Sequence, residues 1–128
     1  MNNMTIEPMT AEQLAVYRET AHRRYLEAIE RRADRRARAW SVATLGASIL
    51  RECFGASAVL VFGSLAGGEW FAETSDIDLA AAGMRAEDYF TAVAAMQGLS
   101  SEFEVDLVDL DRCPSGLRES VLREGISL

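Results

Sequence analysis

Five apolar residues in succession, Ala58-Val59-Leu60-Val61-Phe62, stop at Gly63-Ser64. A run this short and unbroken reads as a strand buried on both faces. Such a strand needs covering layers, and the flanking sequence supplies them. From Thr10 to about Phe54 apolar residues recur near the helical period, at Leu14, Tyr17, Ala21, Tyr25, Ile29, Ala33, Ala37 and Trp40. Thr10 and Gln13 have capping-box spacing, and Gly55 is placed as a C-cap. Ser41 and Gly46 allow a break, so this stretch reads as one long helix or two. Within it, Glu30 to Arg38 is mostly charged and reads as solvated helix before it reads as an arginine patch for a partner or phosphate. Beyond the first strand, Gly63 to Ser75 is a loop with room for one short helical turn. Asp76–Ala81 is a second strand. A helix runs from Arg85 to about Leu99, with Phe90, Val93, Ala94 and Met96 facing inward. Phe103–Leu110 is a third strand, Ser115–Glu124 a helix entered through Pro114 and stopped by Gly125, and Ile126–Leu128 a short terminal strand. The order predicts an α/β (α+β) sandwich, a small mixed sheet flanked by helices. It divides into an N-terminal helical segment, residues 1–54, and a domain, residues 55–128.

Composition narrows the class. The 128 residues are 49% apolar and 26% charged, which suits one globular domain. No apolar run approaches the ~20 residues of a membrane span. Met1 to Thr10 lacks the basic and apolar regions of a secretory signal. Cys53 and Cys113 are too few for a disulfide framework or a zinc site, and read as small buried hydrophobes. A cytoplasmic protein without membrane contact is the expectation. All 13 basic residues are arginine, which excludes a P-loop lysine and a Schiff-base lysine. Residues 1–54 hold nine arginines against seven acids; residues 55–128 hold four against thirteen, a net −9. Such an acidic half would repel phosphate backbones, so nucleic acid is not the expected partner.

Three features carry chemistry. Gly63-Ser64 ends a buried strand, where glycine allows close backbone approach and serine offers its hydroxyl and the following N–H groups to an anion. Asp76 and Asp78 sit two apart at a strand start, so their carboxylates share a face while Ile77 points to the core. Asp106 lies between Val105 and Leu107 in an apolar strand, a costly place for an unpaired carboxylate. Three carboxylates on adjacent strands repel one another unless a cation joins them. Hard oxygen ligands select Mg²⁺, which completes its shell from substrate phosphate, and a phosphate cradle beside them implies a nucleoside triphosphate. Plainer readings stand beside these. Asp76 and Asp78 are a loop cap and a solvated strand end in many proteins, and Glu104 shares parity with Asp106 as a second choice for the third acid. Asp109 falls on the opposite face, toward solvent or a turn. Ser75 is a turn residue, His22 a surface residue, and Trp40 a packing residue; Trp70 either packs or lines the nucleotide or partner site. Neither an EF-hand loop nor a dinucleotide fingerprint fits.

The strings Gly63-Ser64-Leu65-Ala66-Gly67-Gly68, Ser75-Asp76-Ile77-Asp78-Leu79 and Val105-Asp106-Leu107-Val108 together resemble the DNA polymerase β nucleotidyltransferase superfamily. Within it they are most similar to the small minimal nucleotidyltransferase domains. The resemblance spans about residues 58–110. It implies that Gly63 and Ser64 hold the β- and γ-phosphates of ATP. Asp76 and Asp78 bind Mg²⁺, and Asp106 binds the catalytic metal and helps deprotonate the acceptor hydroxyl. Relatives often carry a basic residue three positions after the serine. Here that position is Gly67, with Arg85 or Arg51 as candidate substitutes. Small relatives are often antitoxins that transfer AMP to a tyrosine of a helical HEPN-type toxin, which is the leading context for this chain. The alternatives are a non-catalytic nucleotide- or partner-binding subunit acting through the N-terminal helix, as a homo-oligomer or with a partner, and an antibiotic nucleotidyltransferase.

Overall fold

A computed structural model describes residues 7–68 and 71–128. Trp70 and the first six residues, and with them part of the signal-peptide reading, lie outside the described residues. Helix α1, Ala11–Phe54, is one unbroken helix of 44 residues, roughly 66 Å long. Thr10 and Gln13 form the capping box, and Gly55 closes the helix at φ 70°. Gly46 does not break it. A Cβ there would stand 3.0 Å from Leu79, 3.1 Å from Leu99 and 3.2 Å from Met96, so a bare backbone lets α1 pack directly on the layer beneath.

Strands β1 (Ala58–Phe62), β2 (Ile77–Ala82), β3 (Val105–Asp109) and β4 (Ile126–Ser127) form one sheet in the order β3-β2-β1-β4. β1 is antiparallel to β2 and β4, and β2 is parallel to β3, so the sheet is mixed as expected. Helix α2 (Gly63–Gly67) follows β1 directly, α3 (Tyr89–Gln97) joins β2 to β3, and α4 (Ser115–Glu124) joins β3 to β4. The second strand starts one residue later than expected, leaving Asp76 just outside it. The third helix starts at Tyr89, after a 3₁₀ turn at Ala86–Asp88.

One sheet face buries Val59, Val61, Ile77, Leu79, Ala81, Val105 and Leu107 against Ala39, Ala43, Ala47 and Leu50 of α1 and against Ala92 and Met96 of α3. The other face packs Ala80, Leu60 and Val108 around Val121 of α4. Inward-facing Met96 is as expected, but Phe90 is 81% exposed and Ala94 is exposed too. α3 is apolar on every side, so its period cannot say which stripe is covered. Trp40 packs on the core, whereas Cys53 is exposed and Cys113 half-buried, against the expectation for both.

The two halves of α1 differ. From Ala39 onward its inner face is core. Earlier, Leu14, Tyr17, Tyr25, Leu26 and Ile29 are all exposed, and this half projects. Among the described residues no helix is long and apolar enough to cross a membrane. Leu50→Ala should therefore destabilise the chain by about 2–5 kcal/mol, while Leu26→Ala on the projecting half stays within about 0.5 kcal/mol. Urea unfolding of the two variants measures this difference; equal losses would show that the projecting half is packed in solution.

Candidate functional site

Phe62 pairs with Asp78 across the β1–β2 ladder, and Asp78 pairs with Asp106 across the parallel β2–β3 ladder. The end of β1 and both acids are thus in register at one end of the sheet. They lie on the face opposite α1, because Ile77, Leu79, Val105 and Leu107 take the α1 face. The chain leaves β1 through Gly63 at φ 70°, a left-handed conformation that suits glycine. A Cβ at Gly63 would lie 2.3 Å from Oδ2 of Asp78, so only a bare backbone fits beside that carboxylate. α2 then begins at once, with Leu65 fully buried as its anchor and Ser64 half-buried in its first turn.

The electrostatics follow the geometry. Burial pushes the Asp78 carboxyl up to about 6, with the negative charges of Asp106 and Asp76 adding to the effect. Glu104 is not among the charges felt there; it is exposed, and its backbone carbonyl accepts the Ile77 N–H at 2.9 Å. Among the described residues, no hydrogen bond reaches the carboxylate of Asp76, Asp78 or Asp106, and no three acidic, histidine or cysteine side chains are already drawn together as a finished metal site. The donor set is nevertheless of the kind a hard divalent cation takes: carboxylate oxygens without hydrogen-bond partners, with Asp76 and Asp106 near enough to Asp78 for their charges to raise its proton affinity. Asp109 lies on the opposite face from Asp106, but it is buried, against the solvent reading. It accepts from Arg112 at 2.7 Å and from the Asp111 N–H at 3.1 Å, capping the turn after β3.

The loop from α2 to β2 is held by the charged stretch of α1. Arg35 donates to the carbonyls of Ala72 at 2.7 Å and Ser75 at 3.5 Å, and its guanidinium stands 4.9 Å from the Phe71 ring and 4.6 Å from that of Phe103. Ser75 is a turn residue, its Oγ accepting from the Ala72 N–H. Arg38 grips Glu102 with three hydrogen bonds of 2.7–3.1 Å, which lowers the Glu102 pKa. A cavity of about 300 Å³ lies between Arg31, Arg32, Arg35, Arg38 and Phe71. This stretch is therefore not plain solvated helix. Neither arginine named as a substitute at Gly67 is free: Arg85 pairs with Glu87, and Arg51 donates to the Leu128 carbonyl. His22 is exposed on α1.

Comparison with known proteins agrees in kind. The family model for polymerase beta, nucleotidyltransferase matches residues 47–128. A solved structure proposed to be a minimal nucleotidyltransferase is 38% identical, covering 75% of this chain and 94% of its own, with a TM-score of 0.49. No curated protein matches the chain.

The raised Asp78 pKa has a stability consequence. Between about pH 4 and about pH 6 the folded chain holds a proton that the unfolded chain has released, so stability falls as pH rises through that window. Asp78→Asn should accordingly stabilise the metal-free chain at pH 7, by of order 1 kcal/mol once solvent screening of this half-buried group is allowed for. The gain should vanish below about pH 4. Urea melts in chelator at the two pH values check this, and a gain of the same size at both would contradict it.

Proposed function

Because the chain belongs to the polymerase beta nucleotidyltransferase family, we propose that it transfers a nucleotide, AMP from ATP, to a hydroxyl acceptor. The observation that carries this reading is the bare backbone of Gly63 set against the Asp78 carboxylate, with Asp106 beside it in register. A phosphate cradle and a set of acids at one end of a sheet are what in-line displacement at phosphorus needs. Ser64 and the N–H groups opening α2 would hold the terminal phosphates. Asp76, Asp78 and Asp106 would hold Mg²⁺, which when bound neutralises phosphate charge and lowers the pKa of the attacking hydroxyl. The acceptor oxygen then bonds to the α-phosphorus, the bond from that phosphorus to the bridging oxygen breaks, and pyrophosphate leaves with the electron pair. Asp106 would take the acceptor's proton, a role supported by its being more exposed than Asp78. Orientation and preorganised charge supply most of the acceleration.

The acceptor in this proposal is a tyrosine hydroxyl on a helical protein of the HEPN type, which makes the chain an antitoxin. Support comes from the projecting half of α1, whose Leu14, Tyr17, Tyr25 and Ile29 form an unpartnered apolar stripe of the kind a helical partner covers. The same stripe favours a second reading, a non-catalytic subunit that binds its partner through α1. Pyrophosphate release from ATP with Mg²⁺, with and without such a partner, separates the two. For the enzyme, Asp78→Asn and Asp106→Asn should each cut the rate by at least about a hundredfold, and removal of Mg²⁺ should abolish it. No release under any acceptor would leave the binding subunit.

A further inference from the structure

The cavity between α1 and the loop before β2 plays no part in the chemistry proposed above. It holds about 300 Å³, the lower end of the roughly 300–1,000 Å³ of small-molecule sites. It lies on the α1 side, whereas Asp78 and Asp106 occupy the other face of the sheet. Four arginines line it, and they differ in what already engages them. Arg35 donates to the carbonyls of Ala72 and Ser75, and Arg38 gives three hydrogen bonds to Glu102. Arg31 and Arg32 are exposed and have no such task. The ion pairs among the described residues are Arg38–Glu102, Arg85–Glu87, Arg112–Asp109 and Arg123–Glu124, and neither arginine is in them.

Two carboxylates, Asp34 and Glu73, line the same cavity. Arg31 and Asp34 have the three-residue spacing at which helical ion pairs form, yet they do not pair. Two guanidinium forks thus stay open beside two carboxylates, over the buried ring of Phe71. That combination selects a ligand class. A guanidinium fork binds two phosphate oxygens at once, and a phosphate monoester brings three acceptor oxygens and roughly −1.5 to −2 charge at pH 7. Carboxylates repel an anion but accept hydrogen bonds from hydroxyl groups. The matching ligand has an anionic end and a hydroxyl-bearing end. We infer that this cavity is a second binding site, for a small phosphate monoester on a hydroxylated ring, a sugar phosphate or a mononucleotide. Arg31 and Arg32 take the phosphate, and Asp34 and Glu73 take the hydroxyls. The bound molecule lies against Arg35, which anchors the loop leading into Asp76, so binding steadies that loop. Nucleotidyl transfer at the acids is not a premise of this site.

The test is calorimetric titration of the full chain, in metal-free buffer, with ribose 5-phosphate, AMP and ribose. Without Mg²⁺ the three aspartates repel phosphate, so uptake reports on the arginine cavity. Wild type should take up one phosphate monoester per chain, and ribose should bind at least about tenfold more weakly than ribose 5-phosphate. The tighter of ribose 5-phosphate and AMP identifies the source of the phosphate. Arg31→Gln combined with Arg32→Gln should weaken uptake at least about tenfold, and Arg18→Gln, at an exposed arginine of the arm outside the cavity, by less than about twofold. Melting curves verify folding. Should the double variant not fold, amide exchange in wild type decides: it should slow at residues 72–76 on binding, and unchanged exchange there overturns the assignment. No uptake of either phosphate overturns it, as does wild-type affinity in the double variant. An equal loss in Arg18→Gln also overturns it, the mark of diffuse charge on the helix. None of these results alters pyrophosphate release, which tests the acid site separately.

Discussion

The Gly63 backbone lies so close to the Asp78 carboxylate that no side chain fits between them. That contact exists only in one register of β1 on β2. Slipping the pair by one residue would turn Asp78 into the layer under α1 and Ile77 out of it. The register is held by Val59, Val61, Leu79 and Ala81, all fully buried, and by their partners on α1 and α3. The core therefore fixes the site, and the cost falls on the acids. Asp78 loses solvation and faces two further carboxylates, which is why its proton affinity rises. A chain selected for stability alone would have little reason to keep an aspartate there.

Helix α1 carries the second constraint. Ala39, Ala43, Gly46 and Leu50 lie four, three and four residues apart, so they form one seam along the inner face. Three of the four are small, and this lets the helix axis approach the sheet closely enough for Gly46 to touch Leu79 and Met96. The same close approach brings the arginines one turn earlier within reach of the loop between α2 and β2. Among the described residues that loop has no ladder of its own beyond its turns. Arg35, through two carbonyls and two aromatic faces, does much of the work of holding it.

Much of this was legible in the sequence, and what was not has identifiable causes. Gly63, Ser64, Asp76 and Asp78 stand out because turn chemistry and strand parity are local properties, readable over a few residues. Asp106 stands out because it interrupts an apolar run. Phe90 misled because α3 has apolar residues all round, and only the tertiary packing chooses among them. For Asp109, odd spacing gave the face correctly but not the burial, since its partner Arg112 arrives through a turn three residues later. The role of Arg35 and Arg38 was hidden by a run that looks solvated. The available clue was a count: residues 30–38 hold five arginines against two acids, more cations than pairing along the helix can satisfy.

The charge asymmetry of the chain takes on meaning from this arrangement. The domain from residue 55 onward is strongly acidic, and its acids at the head of the sheet would repel any phosphate substrate approaching alone. Positive charge is concentrated instead on the segment of α1 that holds the loop leading into Asp76, on the other face of the sheet from Asp78 and Asp106. An isolated helix must form its first turn at a cost, but the half of α1 anchored in the core has already met it. Residues 11–34, rich in alanine, glutamate, arginine and leucine, then extend the helix by propagation without a core of their own. One continuous helix thereby serves as core, as the anchor of the loop that leads into Asp76, and as an arm with an uncovered apolar stripe.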